Sequence, residues 1–222
     1  NAKPDLVWLK ERSSTSDNGL WNSVMGQSEY NSSNATNGHW DTTTEFTSFD
    51  HNGFTLGNST MTNQSGQTYV AWCWRAGGSK GTFNIDDVAY PSAAAAGLDG
   101  GSLDPSGASI GTKQGFSILK YSGASGANSI SHGLSQAPTF IIVKCIDGVA
   151  DQNWTIYHKD LPTGDYLKFT TDQKIDYPMF NDSTPNSSTI PLGNDDQVSG
   201  SSGTYILYAW HDVPGLQKFG TY

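Results

Sequence analysis

Apolar residues in this chain come in short runs separated by clusters of Gly, Ser, Asn and Thr, a spacing that predicts strands rather than helices. Leu6-Val7-Trp8-Leu9 and Phe140-Ile141-Ile142-Val143 are continuous apolar runs, each just behind a proline. They read as central strands covered on both faces. Tyr69–Trp74 alternates: Val70, Trp72 and Trp74 share one face, and Tyr69, Ala71 and Cys73 share the other. Tyr205–Trp210 repeats the arrangement, with Ile206, Tyr208 and Trp210 opposed to Tyr205, Leu207 and Ala209. One face of each strand meets the core and the other a tighter second layer; pattern alone does not assign them. Gly115–Tyr121 predicts one further strand.

These runs form an internal repeat. Pro4–Lys10 aligns with Pro138–Lys144, Trp21 with Trp154, Leu56-Gly57-Asn58 with Leu192-Gly193-Asn194, and Tyr69–Trp74 with Tyr205–Trp210. The matches keep the same order, and their separation drifts by only a few residues, as small loop insertions would cause. The fold expectation is therefore all-β: two related β-sandwich or jelly-roll-like subdomains joined by a Gly/Ala/Ser-rich connector. Residues 1–78 are the first copy, which lacks an opening strand, and 115–217 the second, opened by Gly115–Tyr121. Residues 79–114 read as the extended connector, with Phe83 and Ile85 as a short strand and Ala93–Ala96 too short to hold a helix. Residues 218–222 read either as the start of a further repeat or as a strand exchanged within the chain or with a neighbour. The abrupt start at Asn1 reads as a fragment or a processed chain.

Composition narrows the function. Charged residues are 15% of the chain and aromatic residues 12%, with 25 glycines. That profile suits a β-sandwich or fibre-like surface modules. The net charge of −9 would repel a phosphate backbone, which argues against nucleic acid. No stretch reaches the roughly 18 apolar residues of a membrane helix.

Candidate chemistry is sparse. His39, His51, His132, His158 and His211 show no metal-ligand spacing, and no nucleophile, phosphate-loop or dinucleotide motif is present. Among 21 acids some pair suited to glycoside cleavage always exists, so the pairs carry no information. Asp86-Asp87, Asp99 and Asp195-Asp196 could join a calcium site, against the simpler reading as solvated turns. No metal or cofactor is expected. Cys73 aligns with Ala209 and reads as a core filler; Cys145 aligns with Glu11 and reads as lying near a strand end; nothing in their spacing demands a disulfide. The Asn-x-Ser/Thr triplets follow from composition. The remaining candidates are loop aromatics: His39-Trp40, and Tyr177 with Phe180 in Tyr177-Pro178-Met179-Phe180. Such rings either pack under their own loops or offer a flat apolar face to a sugar.

Three segments together resemble a known module. They are Gly115-Phe116-Ser117-Ile118 through Ser131-His132-Gly133-Leu134 to Ile141-Ile142-Val143-Lys144; Phe49–Gly57 with Thr68–Trp74; and Val213–Tyr222. The chain is similar over nearly its whole length to a domain of unknown function in tail fibres and related appendage proteins of tailed bacteriophages, many of them marine. The resemblance implies a non-enzymatic structural or receptor-binding module on the virion that presents loops to a host surface glycan or protein. It implies other virion proteins as partners and, by analogy with fibres, a homo-oligomer, a trimer being favoured. The alternatives are a virion decoration or spacer protein without a ligand, a polysaccharide-degrading tail enzyme, and a secreted lectin-like adhesin.

Overall fold

The computed structural model describes residues 2–171 and 173–221; the termini at Asn1 and Tyr222 lie outside the described residues. The first unit comprises β1 (Leu6–Glu11), β2 (Asn18–Asn22), β3 (Gly26–Ser32), β4 (Trp40–Asp41), β5 (Phe46–Asp50), β6 (Gly53–Leu56) and β7 (Tyr69–Trp74). Five of these form an antiparallel sheet in the order β4-β3-β2-β1-β7. The strands β5 and β6 make a separate hairpin turned at His51-Asn52.

The second unit begins earlier than the repeat suggests. Its strands are β8 (Phe83–Ile85), β9 (Val88–Tyr90), β10 (Pro105–Gly111), β11 (Phe116–Ser122), β12 (Asn128–Ser131), β13 (Phe140–Asp147), β14 (Thr155–His158), β15 (Asp165–Tyr166), β16 (Ile175–Asp176), β17 (Thr189–Leu192) and β18 (Thr204–Trp210). A seven-stranded sheet runs β14-β13-β18-β11-β10-β8-β9, antiparallel except for the β8–β10 pair. Short pairs β12-β17 and β15-β16 lie outside it. The fold is all-β.

Residues 79–114 are therefore not an extended connector. They supply three strands of the large sheet, and β10 is a mostly buried member of it. Their small side chains permit close backbone packing. A Cβ on Gly111 would stand 2.7 Å from the Ala76 carbonyl oxygen, and one on Gly77, just before the segment, 2.5 Å from that of Ile110. Phe83–Ile85 is the short strand expected, and Ala93–Ala96 forms a turn rather than a helix.

The two sheets lie face to face. Leu6, Trp8, Leu20 and Trp74 of the first meet Phe116, Ile118, Ile142, Ile206, Tyr208 and Trp210 of the second. Strand alternation sends the other side chains outward into two further cores. Val7, Leu9 and Trp21 meet Phe46, Phe54 and Leu56 of the β5-β6 hairpin. On the far side Leu119, Ile141, Val143 and Leu207 meet Ile130, Ile190 and Leu192 of β12 and β17, with Met179, Phe180 and Val198. Both faces of β18 are thus buried, which settles the alternation left open by its pattern.

Polar side chains bind the sheets together. Asp5 accepts hydrogen bonds from Ser23 Oγ (2.7 Å), Ala76 N (2.8 Å), Gly78 N (3.1 Å) and Ser109 Oγ (3.1 Å). Asn22 Nδ2 donates to Tyr208 Oη at 3.0 Å, and Trp154 Nε1 to the Ser32 carbonyl at 2.9 Å.

The repeat reappears as repeated contacts. Gly57 N donates to the Glu45 carbonyl as Gly193 N does to that of Met179. A Cβ at Gly57 would meet the Thr44 carbonyl oxygen at 2.0 Å, and one at Gly193 would meet that of Pro178 at 2.0 Å. Trp21 and Trp154 are both fully buried. Residues Lys218–Thr221 form no strand; Phe219 stacks on Phe140 of the second unit's own sheet at 5.1 Å, so these described residues are not a strand exchanged within this chain.

Candidate functional site

The four loop aromatic candidates do not converge. Trp40 lies on β4 as the terminal ring of an internal stack. It packs on Tyr30 at 5.4 Å, Tyr30 on Trp21 at 4.9 Å, and Trp21 on Phe46 at 5.4 Å. One face of Trp40 is thereby committed to packing. His39 bonds through Nδ1 to the Ile146 carbonyl at 2.7 Å. A carbonyl only accepts, so Nδ1 carries the proton in this bond. Tyr177 and Phe180 belong to the opposite outer layer. Tyr177 is 45% exposed and remains a surface ring, but Phe180 is 5% exposed, sits in the far core and meets Tyr157 edge-on at 5.4 Å. Phe180 is corrected to a packing residue. Its apolar neighbours come from strands distant in sequence, so its loop setting hid its burial.

A different aromatic surface lies at the margin of the sandwich. Trp8 meets Trp72 at 5.9 Å and Phe169 at 5.8 Å, and Phe169 leans on buried Trp154 at 5.6 Å. Trp72 is 46% exposed and Phe169 37%. The β1–β7 register sets Trp8 opposite Trp72, but Phe169 reaches them only through the stacking of the two sheets. Flat rings in this arrangement can cover an apolar ligand face, a sugar ring included.

Three of the five acids weighed for calcium are engaged locally. Asp86 accepts from Thr112 N at 3.0 Å, Asp87 pairs with Arg75, and Asp195 Oδ1 accepts from Gln197 N at 2.8 Å. Among the described residues, the one set of His, Cys, Asp or Glu side chains close enough to share a cation is Glu29, His39 and Asp41, whose ligand atoms lie within 4.8 Å of one another. The β3–β4 register sets Glu29 opposite Asp41. With Nδ1 protonated, His39 keeps Nε2 as the ligating nitrogen, and such a nitrogen with two carboxylates suits zinc. The linear spacing hid this group because strand pairing assembles it.

Burial perturbs several other groups. Lys144 is inaccessible to solvent, donates to the Thr36 carbonyl at 2.6 Å and to that of Gln152, and lies over the Trp154 ring. Burial lowers its pKa to about 8, against smaller upward pulls from Cys145 and Asp151. His132 is held below the usual imidazole range, chiefly by burial. Burial also raises the phenol of Tyr208, and the hydrogen bond from Asn22 opposes it. These groups lie inside packed layers, where they fix side-chain geometry. Both cysteines are free thiols, Cys73 exposed and Cys145 buried.

In comparisons with known proteins, no curated protein and no solved structure gives a significant match. A family described as a domain of unknown function, DUF7483, matches residues 1–222, and the chain belongs to that family.

Proposed function

We propose that this protein is a non-enzymatic structural and receptor-binding module of a phage tail fibre or related virion appendage. It acts by presenting side chains from a stiff β body to a host surface glycan or protein. Other virion proteins are its neighbours, and a homotrimer is the favoured assembly. The observation that carries the reading is the division of labour among the aromatic rings. Most are locked in three stacked cores, while Trp72, Phe169 and Tyr177 stand exposed on an edge and in loops of a charge-poor surface. Rigid scaffolds that offer a few fixed rings are suited to binding with little ordering cost.

The test is binding of the purified protein to a glycan array and a panel of bacterial cells, alongside Phe169→Ala and Tyr177→Ala. Neither ring is fully packed, so both variants should fold. Saturable binding lost in one folded variant is the expected result. Absence of saturable binding by the assembled protein would overturn the receptor role and favour the spacer reading.

A further inference from the structure

The internal repeat shows what the first unit lacks. In the second unit β18 lies between β13 and β11. Among the described residues its counterpart β7 is paired with β1 alone, and no strand lies along its other edge. The burial of the two strands differs accordingly. From Tyr205 to Trp210 every residue of β18 is buried, whereas Ala71, Trp72 and Cys73 of β7 are exposed.

The bare edge is primed for pairing. In β18, His211 N donates to the Gly115 carbonyl at 3.0 Å and Gly123 N to the Gly203 carbonyl at 2.9 Å. Antiparallel alternation then directs the backbone groups of Tyr205, Leu207 and Ala209 toward β11. The repeat transfers this to Tyr69, Ala71 and Cys73, whose N–H and C=O groups point away from β1. Exposed edges are normally short, bulged or guarded by Lys or Pro. The outer strands β4 and β9 are short, and β14 is bridged to Leu167. By contrast β7 has six residues, no Lys, Pro or charge, and an unbroken register with β1. A cleft of about 320 Å3 opens beside Cys73, Trp74 and Arg75, bounded by Gln114, Phe116 and Leu216.

We propose that the outer edge of β7 is completed by an added antiparallel strand with the pattern of Phe116–Ser122, supplied by a further copy of this repeat unit. The β11–β18 register defines its chemistry. Phe116 stacks on Trp210 at 4.5 Å and Tyr121 on Tyr205 at 5.2 Å, while Ile118 faces Tyr208. The added strand therefore places an aromatic ring opposite Trp74, a branched apolar side chain opposite Trp72 and a second aromatic ring opposite Tyr69. Main-chain bonds supply affinity, and these alternate side chains supply selectivity. Lys218–Thr221 of the same chain are not the occupant, since Phe219 is held on Phe140. The inference is independent of the virion reading, because it follows from comparing the two units.

The test adds a peptide with the sequence of residues 115–123 to the intact protein. Two quantities are read: fluorescence anisotropy of the labelled peptide, and the rate of maleimide labelling at Cys73. Saturable binding is expected, with Cys73 labelling slowed about tenfold at 90% occupancy. A peptide carrying Leu119→Pro loses a donor to the edge and should not bind, a comparison that leaves the protein unchanged. In the protein, Ala71→Pro removes an outward N–H and should also abolish binding. Unchanged Cys73 labelling, or equal binding of the proline peptide, overturns the proposal. So does a concentration-dependent dimer that ignores the peptide and is dissolved by Ala71→Pro, which would make β7 the occupant of its own copy's edge.

Discussion

Asp5 offers a direct test of how the two units are joined. Its carboxylate is fully buried and accepts from two serine hydroxyls and two backbone N–H groups. Oδ2 takes both backbone donors, Ala76 N and Gly78 N, and Oδ1 takes both hydroxyls. Asp5→Ala strands two buried N–H groups, each costing about 1–3 kcal/mol, and removes charge-assisted bonds to the serines. Ser109 has one hydroxyl proton, shared between Asp5 and the Gly78 carbonyl at 2.7 Å, and it can turn wholly to the carbonyl in the variant, which limits the serine share. The expected loss is about 4 kcal/mol, or about 8–16 °C in Tm for a chain of this size. Asp5→Asn separates charge from connectivity. Its carbonyl oxygen can stay on the two N–H groups while its amide faces hydroxyls that can turn to accept, so the loss should be about 1 kcal/mol. Urea unfolding followed by tryptophan fluorescence measures both, and amide exchange at Gly78 reports the local opening. An alanine variant no less stable than the asparagine variant would refute the assignment of Asp5 as the hydrogen-bonded joint between the sheets.

Three further outcomes follow from the packing. Lys144 is depressed to about 8 in the folded chain from an ordinary 10.5, so between these values the unfolded state binds more protons and stability rises with pH. The stability of the protein relative to Lys144→Met should therefore grow by about 3 kcal/mol from pH 8 to 10.5, and a flat difference counts against the buried ammonium. Gly57→Ala and Gly193→Ala each force a methyl into a backbone carbonyl and should each cost about 3 kcal/mol by urea unfolding, a loss below about 1 kcal/mol in either arguing against their equivalence. Phe180→Ala should cost about 3–5 kcal/mol as a core truncation, whereas Tyr177→Ala should stay within about 0.5 kcal/mol; the reverse order in thermal melts would restore Phe180 as a surface residue.

Strands with strong alternation or continuous apolar runs can be read from the chain alone, because a period of two and a buried run are local properties. β1, β7, β11, β13 and β18 were legible for that reason, and so was the pairing of Trp21 with Trp154 across the repeat. Other features arise only where segments distant in sequence meet. Gly77 and Gly111 look like linker residues until two backbones are seen to pass close together there. Phe180 looks like a loop ring until Tyr157 is set beside it. The grouping of Glu29, His39 and Asp41 depends on strand register, and that of Trp8, Trp72 and Phe169 on the stacking of two sheets. The open edge of β7 among the described residues stands out once its counterpart β18 is seen with neighbours on both sides. Composition records what each residue can do; contacts between distant segments decide which of those capacities is buried, paired or left open.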